Sequence, residues 1–173
     1  MKFDYDVILK TKDLNLLEQA SNYCGLKCAV ASNINCPLSI LEKLSDDKNY
    51  KVVEHVALNE NCSKELLKKL STSKNYFVRK VIARNINSPE DALNSLSNLK
   101  YNNETIVSLV AQNKNCPIFI LKKLSKTKVS SIAGSLVYNK NCTFEILKII
   151  YKNHKHLRED IISHVNWKLK EFE

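Results

Sequence analysis

Five near-copies of one short motif constrain this chain more than any other feature: NINCP from Asn33, NENCS from Asn59, NINSP from Asn85, NKNCP from Asn113 and NKNCT from Asn139. Asn to Asn, they are 26, 26, 28 and 26 residues apart. Self-similarity at a fixed period of this length marks an array of supersecondary units rather than one globular core. Each unit is too short to bury an apolar face alone, so neighbouring units must supply each other's core.

The rest of each copy keeps the same register. After the motif come an apolar pair, a third apolar residue and a serine: Ile40, Leu41, Leu44, Ser45; Leu66, Leu67, Leu70, Ser71; Ala92, Leu93, Leu96, Ser97; Ile120, Leu121, Leu124, Ser125. Ile146, Leu147 and Ile150 continue the series, which ends there on Tyr151. A second set precedes each following motif: Val52, Val56, Ala57; Val78, Ile82, Ala83; Ile106, Val110, Ala111; Ile132, Leu136, Val137. Spacings of one, three and four residues put each set on one helical face, so a repeat is two short helices joined by a polar turn such as SDDKNY or STSKNY. The small alanines permit close approach between repeats. With only two glycines and three prolines, the composition disfavours a turn-rich all-β fold, and the class read here is all-α.

The motif lies where the second helix of one repeat meets the first helix of the next. Its first Asn is expected in the left-handed conformation that ends a helix, standing in for glycine. Pro37, Pro89 and Pro117 suit the first helical position, where a missing N–H costs nothing. Cys36, Ser88 and Cys116 then fall at the N-cap, with Cys62 and Cys142 equivalent, and the second Asn (Asn35, Asn61, Asn87, Asn115, Asn141) is the better cap acceptor. Residues 1–22 read as a cap with a degenerate first copy ending in LLEQAS. Residues 23–158 hold about five repeats, and residues 159–173, with Trp167, read as a capping helix; the whole is one repeat domain.

VRKVIARNINSPEDALNSLS, Val78 to Ser97, and VALNENCSKELLKKLS resemble the variant leucine-rich repeat family, over about residues 14–158. The resemblance implies a right-handed superhelix of alternating α and 3-10 helices, an α-solenoid comparable to HEAT or armadillo arrays. Only Arg79 supplies the family's arginine; Val53, Val107 and Ala133 stand at the other copies. No common activity follows from such a fold.

Several groups could carry chemistry. Adjacent motif cysteines cannot share a metal, because equivalent positions in neighbouring repeats lie on the order of 8–10 Å apart, and zinc thiolates sit about 2.3 Å from the ion. Cys24, Cys28 and Cys36 are candidates for a metal or an iron–sulfur cluster, since some members of the resembled family carry a cysteine-ligated iron–sulfur module before the repeats. CGLKC lacks the two-residue gap of common metal motifs, and buried small residues of the first repeat are the competing reading. His156, Asp160 and His164, with His154 near, would share one helical face and could bind a divalent metal or act as acid and base; a solvated capping helix gives the same pattern. No phosphate loop and no recognisable nucleophile occur, so the chain reads as no enzyme, with no cofactor and no small-molecule substrate.

Charge is the strongest functional signal. Residues 105–158 hold ten basic residues (Lys114, Lys122, Lys123, Lys126, Lys128, Lys140, Lys148, Lys152, Lys155, Arg158) against one acid, Glu145, which is +9. The rest of the chain balances, 17 against 17. Lys43, Lys69 and Lys123 share one register position, Lys68, Lys122 and Lys148 the next, and Lys48, Lys74, Lys100 and Lys128 recur in the turn. Repetition makes each position a column, and the candidate partner-binding residues are Lys122, Lys123, Lys126, Lys128, Lys148, Lys152, Lys155 and Arg158. Tyr50 and Tyr76, beside the turn lysines, could stack on bases or cover the turn's apolar side. The expected function is a scaffold that binds another macromolecule, a protein first and nucleic-acid backbone second. No run reaches the 18 apolar residues or so of a membrane span, so no membrane partner is expected. With no export signal at the start, a cytoplasmic location with reduced thiols is expected.

Overall fold

The structure is a computed structural model that describes residues 4–100 and 102–170, with side chains up to residue 166. Among these residues the chain is all-helical, with thirteen α-helices, one 3-10 helix and no strand. It divides into two compact units, Met1–Asn85 and Ile86–Glu173. The side chain of Trp167, expected to help close the array, and residues 171–173 of the expected capping helix lie outside what is described.

In the amino-terminal unit the helices are α1 (Tyr5–Lys10), α2 (Leu14–Ala20), α3 (Lys27–Ser32), α4 (Leu38–Leu44), α5 (Tyr50–Leu58), α6 (Lys64–Ser71) and α7 (Tyr76–Arg84). The second helices pack in series, α3 between α1 and α5 and α5 against α7, while α4 lies beside α3 and α5 and α6 beside α7. In the carboxy-terminal unit they are α8 (Glu90–Leu96), α9 (Glu104–Gln112), α10 (Ile118–Leu124), α11 (Ser130–Val137), α12 (Phe144–Asn153) and α13 (Arg158–Lys170), with the 3-10 turn at Lys155–Leu157. Here α9 packs on α11, and α11 on both α12 and α13. The residues buried on these helices, such as Ile40, Leu41 and Leu44 on α4 and Ile106, Val110 and Ala111 on α9, are those the spacing selects. Burying each Leu or Ile side chain contributes about 1.5–3 kcal/mol, and these short helices depend on it, since none is long enough to hold alone in water.

Both helices of every described pair are α, not α alternating with 3-10 as the family resemblance implies. Tighter bonding is confined to ends: the Ser45 N–H reaches both Leu41 O at 2.9 Å and Glu42 O at 3.2 Å. The register serine promotes this closure, because Ser45 Oγ donates to Glu42 O at 2.7 Å and Ser97 Oγ to Asn94 O at 2.7 Å.

The first Asn of the motif does not adopt the left-handed conformation. Asn33, Asn59, Asn85 and Asn113 are all extended, with φ between −62 and −70°. Their side chains end helices instead, but those of the neighbouring repeat. Asn59 Nδ2 donates to Ala31 O and Asn33 O, both at 2.8 Å, which are carbonyls at the end of α3. Asn139 Nδ2 donates to Ala111 O at 2.6 Å and Asn113 O at 3.0 Å at the end of α9, and Asn85 Nδ2 reaches Ala57 O at 2.7 Å. Asn33 serves α1 in the same way, through Ile8 O at 2.7 Å and Thr11 O at 2.9 Å. The side-chain oxygen turns back on its own motif, so that Asn59 Oδ1 accepts from Asn61 N at 2.8 Å and Asn139 Oδ1 from Asn141 N at 2.8 Å. A helix leaves its last carbonyls without partners, and here a buried amide from the next repeat supplies them. Glycine at this position would free the backbone and lose all three bonds.

The N-caps also fall one residue later than the motif reading places them. Pro37, Pro89 and Pro117 are the cap residues themselves, extended and without side-chain caps, while Ser63 and Thr143 cap α6 and α12 through Leu66 N at 3.1 Å and Ile146 N at 3.4 Å. Cys36, Cys62, Cys116 and Cys142 belong to the preceding turn, because their N–H groups bond to the carbonyls of Asn33, Asn59, Asn113 and Asn139 at 2.9–3.0 Å. Nor is the second Asn a cap acceptor. Asn61 Nδ2 donates to Ile34 O at 2.7 Å and Cys36 O at 3.0 Å, a second tie to the preceding turn.

Asn59→Ala strips partners from two carbonyls and one N–H in a buried site, and should cost about 3 kcal/mol in urea unfolding. Asn61→Ala, whose carbonyls are partly open to water, should cost about 1 kcal/mol or less. Equal losses for the two variants would contradict the buried ladder.

Candidate macromolecule-binding surface

Lysine at the first register position is structural in the amino-terminal unit. Lys43 Nζ docks on the preceding copy through Glu18 Oε1 at 2.8 Å, Ser21 Oγ at 2.9 Å and Asn22 Oδ1 at 3.1 Å. Lys69 repeats the arrangement with Ser45 Oγ at 3.2 Å and both oxygens of Asp46, at 2.7 and 2.8 Å. Asp47 takes the ammonium of Lys27, which holds the Asp47 carboxyl below its ordinary pKa and raises that of Lys27. Lysine and acid on this side therefore occur as local pairs; those of Lys43 and Lys69 are exposed and worth about 0–1 kcal/mol each, while Lys27 and Asp47 are half-buried.

The carboxy-terminal unit keeps the register and drops the acids. Lys123 still bonds to the preceding serine, Ser97 Oγ, at 3.1 Å, but Asn98 stands where Asp46 stands in the other unit. One repeat further on, the Asp46 and Lys69 positions are Lys126 and Ile149. No acid occurs between Glu104 and Glu145. Lys122, Lys126, Lys128, Lys148, Lys152 and Lys155 are all exposed. Arg158 differs, because it pairs with neighbouring Glu159 at 2.9 Å.

Two ties hold α10 and α12 side by side and parallel. At their starts Asn141 Nδ2 donates to Lys114 O at 2.8 Å and Cys116 O at 3.3 Å; at their ends buried His154 Nε2 donates to Thr127 O at 2.8 Å. Residues 26 apart thereby share a register position, which pairs Ile118 with Phe144, Lys122 with Lys148, and Lys126 with Lys152. Ile118, Phe119, Phe144 and Tyr151 are exposed large apolar side chains on these same two helices. Sequence reasoning singled out the lysines and missed Ile118, Phe119 and Phe144 as surface residues. The signal was present, since all three lie outside the i, i+1, i+4 stripe that goes to the core. Tyr151 was read as the end of the core series and is exposed, although the serines at the same register position, Ser45, Ser71, Ser97 and Ser125, are buried.

The other candidates do not assemble. Among the described residues no group of three or more His, Cys, Asp or Glu is placed to hold a metal. Cys24 is exposed, Cys28 half-buried and Cys36 buried, with the Cys36 thiol turned to Pro37 O at 3.8 Å. Burial pushes its pKa up to about 12, which opposes the thiolate a metal or cluster needs. His156 sits in the 3-10 turn, not on α13, and meets His154 edge to face at 5.7 Å. Asp160 accepts from the Tyr138 hydroxyl at 2.8 Å, which raises the tyrosine's pKa, and His164 is buried. Ser32 Oγ and His55 Nδ1, 2.8 Å apart, look like a nucleophile and base but occupy the same register positions as Gln112 and Ser135, joined at 3.0 Å; both are links between successive second helices. Tyr50 stacks on Phe77 at 5.2 Å.

Compared with known proteins, the chain matches no family model, no curated protein and no solved structure. No described helix is long and apolar enough to cross a membrane.

Burial raises the thiol pKa to about 12 at Cys36, about 11 at Cys62 and about 12 at Cys116, while Cys142 is wholly buried. A disulfide reagent at pH 8 should therefore modify Cys24 at once and Cys28 more slowly, with the other four appearing only on unfolding. Six rapid equivalents from the folded protein would refute the buried placements.

Proposed function

We propose that this protein is a non-catalytic repeat scaffold, its helix pairs the turns of a right-handed α-solenoid, that binds a partner protein through the α10–α12 face. The observation that carries the reading is the combination on that face of exposed Ile118, Phe119, Phe144 and Tyr151 with lysine columns whose acidic counterparts are missing. Exposed apolar groups rimmed by one sign of charge are what an interface needs: area to bury and a field to steer the partner. The amide ladder within each unit and the family resemblance support the solenoid. That the polar pairs resembling catalytic dyads are register links supports a non-catalytic role.

The lysine columns support a second reading, binding of nucleic-acid backbone without base readout, because parallel rows of cations can follow phosphates. Capture from nuclease-treated extract with the full chain separates the two. On the protein reading, a partner is retained after nuclease and lost with Lys122→Glu combined with Lys148→Glu. Capture of nothing, together with duplex or single-strand binding that weakens steeply between two salt concentrations, would replace it by the nucleic-acid reading.

A further inference from the structure

A groove of about 220 Å³ runs between α12 and α13 at one edge of the basic face, lined by Phe144, Leu147, Lys148, Tyr151, Ile161 and Val165. Phe144, Leu147, Lys148 and Tyr151 follow i, i+3, i+4, i+7 along one side of α12, and Ile161 and Val165 follow i, i+4 on α13. Leu147 and Ile161 are buried and form the floor, while the rings of Phe144 and Tyr151 are 46% and 43% exposed. Ridges on two packed helices leave a channel that a third helix can fill, and the volume admits an apolar side chain or two.

The groove and its surroundings differ in chemistry. The lining offers two polar heads, the Lys148 ammonium and the Tyr151 hydroxyl, and no hydrogen-bonding side chain on Phe144, Leu147, Ile161 or Val165. A base edge seated on the Leu147 and Ile161 floor would lose water that those side chains cannot replace, whereas an aliphatic or aromatic side chain has none to lose. On the α12 side the neighbouring charges are Lys122, Lys126, Lys148, Lys152 and Lys155 against Glu145; on the α13 side Arg158 is paired with Glu159, and Asp160 is engaged by Tyr138. The charge on the α12 side of the groove is therefore net positive.

From these observations we infer that the groove takes one apolar edge of an acidic amphipathic helix from the partner protein, its bulky side chains between Phe144 and Tyr151 and its carboxylates on the Lys122, Lys126, Lys148 and Lys152 columns. The helix-in-groove mode fits because anchors at i, i+3 or i+4 and i+7 match the spacing of the lining. This deepens the protein-binding reading and rests on it.

Selection of a displayed library of helix-length random peptides on the full chain tests the idea. The expected enriched family carries two or three bulky apolar residues at i, i+3 or i+4 and i+7 with Asp or Glu between them. A synthetic member should lose at least tenfold in affinity, by fluorescence anisotropy, against Phe144→Glu, Tyr151→Ala or Lys148→Glu. Each variant is first required to keep the helical circular dichroism and melting midpoint of the wild type, which three exposed substitutions at separate positions allow. No enriched family, a family without acids, or binding indifferent to all folded variants overturns the inference. So does a single-stranded oligonucleotide that binds more tightly than any selected peptide and is lost with Phe144→Glu. If extract capture yields a partner while the selection yields no acidic family, this inference falls and the protein-binding reading stands; if both fail, the reading falls as well.

Discussion

The amide of a motif asparagine, buried at Asn33, Asn59 and Asn139, is the contact on which the rest of each unit depends. Its two N–H groups take carbonyls at the end of the neighbouring repeat's second helix, and its oxygen takes an N–H of its own turn. One side chain thus ends a helix, shapes the turn after it and fixes the distance to the adjacent repeat. No other residue type presents two donors and an acceptor in so short a reach: Asp lacks the donors, Gln adds a methylene, and Ser has one hydrogen. The alanines two residues before the motif, Ala31, Ala57 and Ala111, carry the accepting carbonyls. Second helices of six to nine residues, too short to persist alone, are stabilised because the next repeat closes their ends.

This explains which parts of the fold could be read from the chain. Period, helix pairing and core positions follow from apolar spacing, and Leu67, Leu93 and Leu121 are buried as that spacing requires. The conformation of the motif did not follow, because Asn serves equally well as a left-handed helix end and as a side-chain donor. Choosing between them needs the partner, and the partner is 26–28 residues away in sequence. The same blindness shifted the N-cap by one residue: whether a Cys N–H closes a turn or opens a helix depends on the turn's own carbonyl. His156, Asp160 and His164 were grouped by assuming one unbroken helix, and the 3-10 turn at Lys155–Leu157 breaks that assumption.

The lysines show how one register can carry both stability and recognition. Lys43, Lys69 and Lys123 all dock on the serine of the preceding copy, so their recurrence has a structural cause. What distinguishes the carboxy-terminal unit is the loss of the acids that neutralise such lysines elsewhere. Replacing Asp46 and Lys69 by Lys126 and Ile149 removes an exposed ion pair, which costs little, and leaves a cation with no local duty. An array can therefore change the charge of its surface repeat by repeat without disturbing the ladder that holds it.

A repeat scaffold has few ways to make a site, because every internal position must serve the neighbouring copies. The positions free to vary are those facing away from both the core stripe and the amide ladder, and on α10 and α12 those are the ones occupied by Ile118, Phe119, Phe144, Lys122 and Lys148. Exposed aromatic and aliphatic groups there lower solubility, so their presence beside a like-charged lysine field is a cost in the isolated chain. That cost is offset once a partner covers the rings and brings carboxylates to the lysines, and both needs are met by the same surface. At the edge of that surface the groove between α12 and α13 adds shape to the match of charge, which is what a specific complex requires beyond attraction.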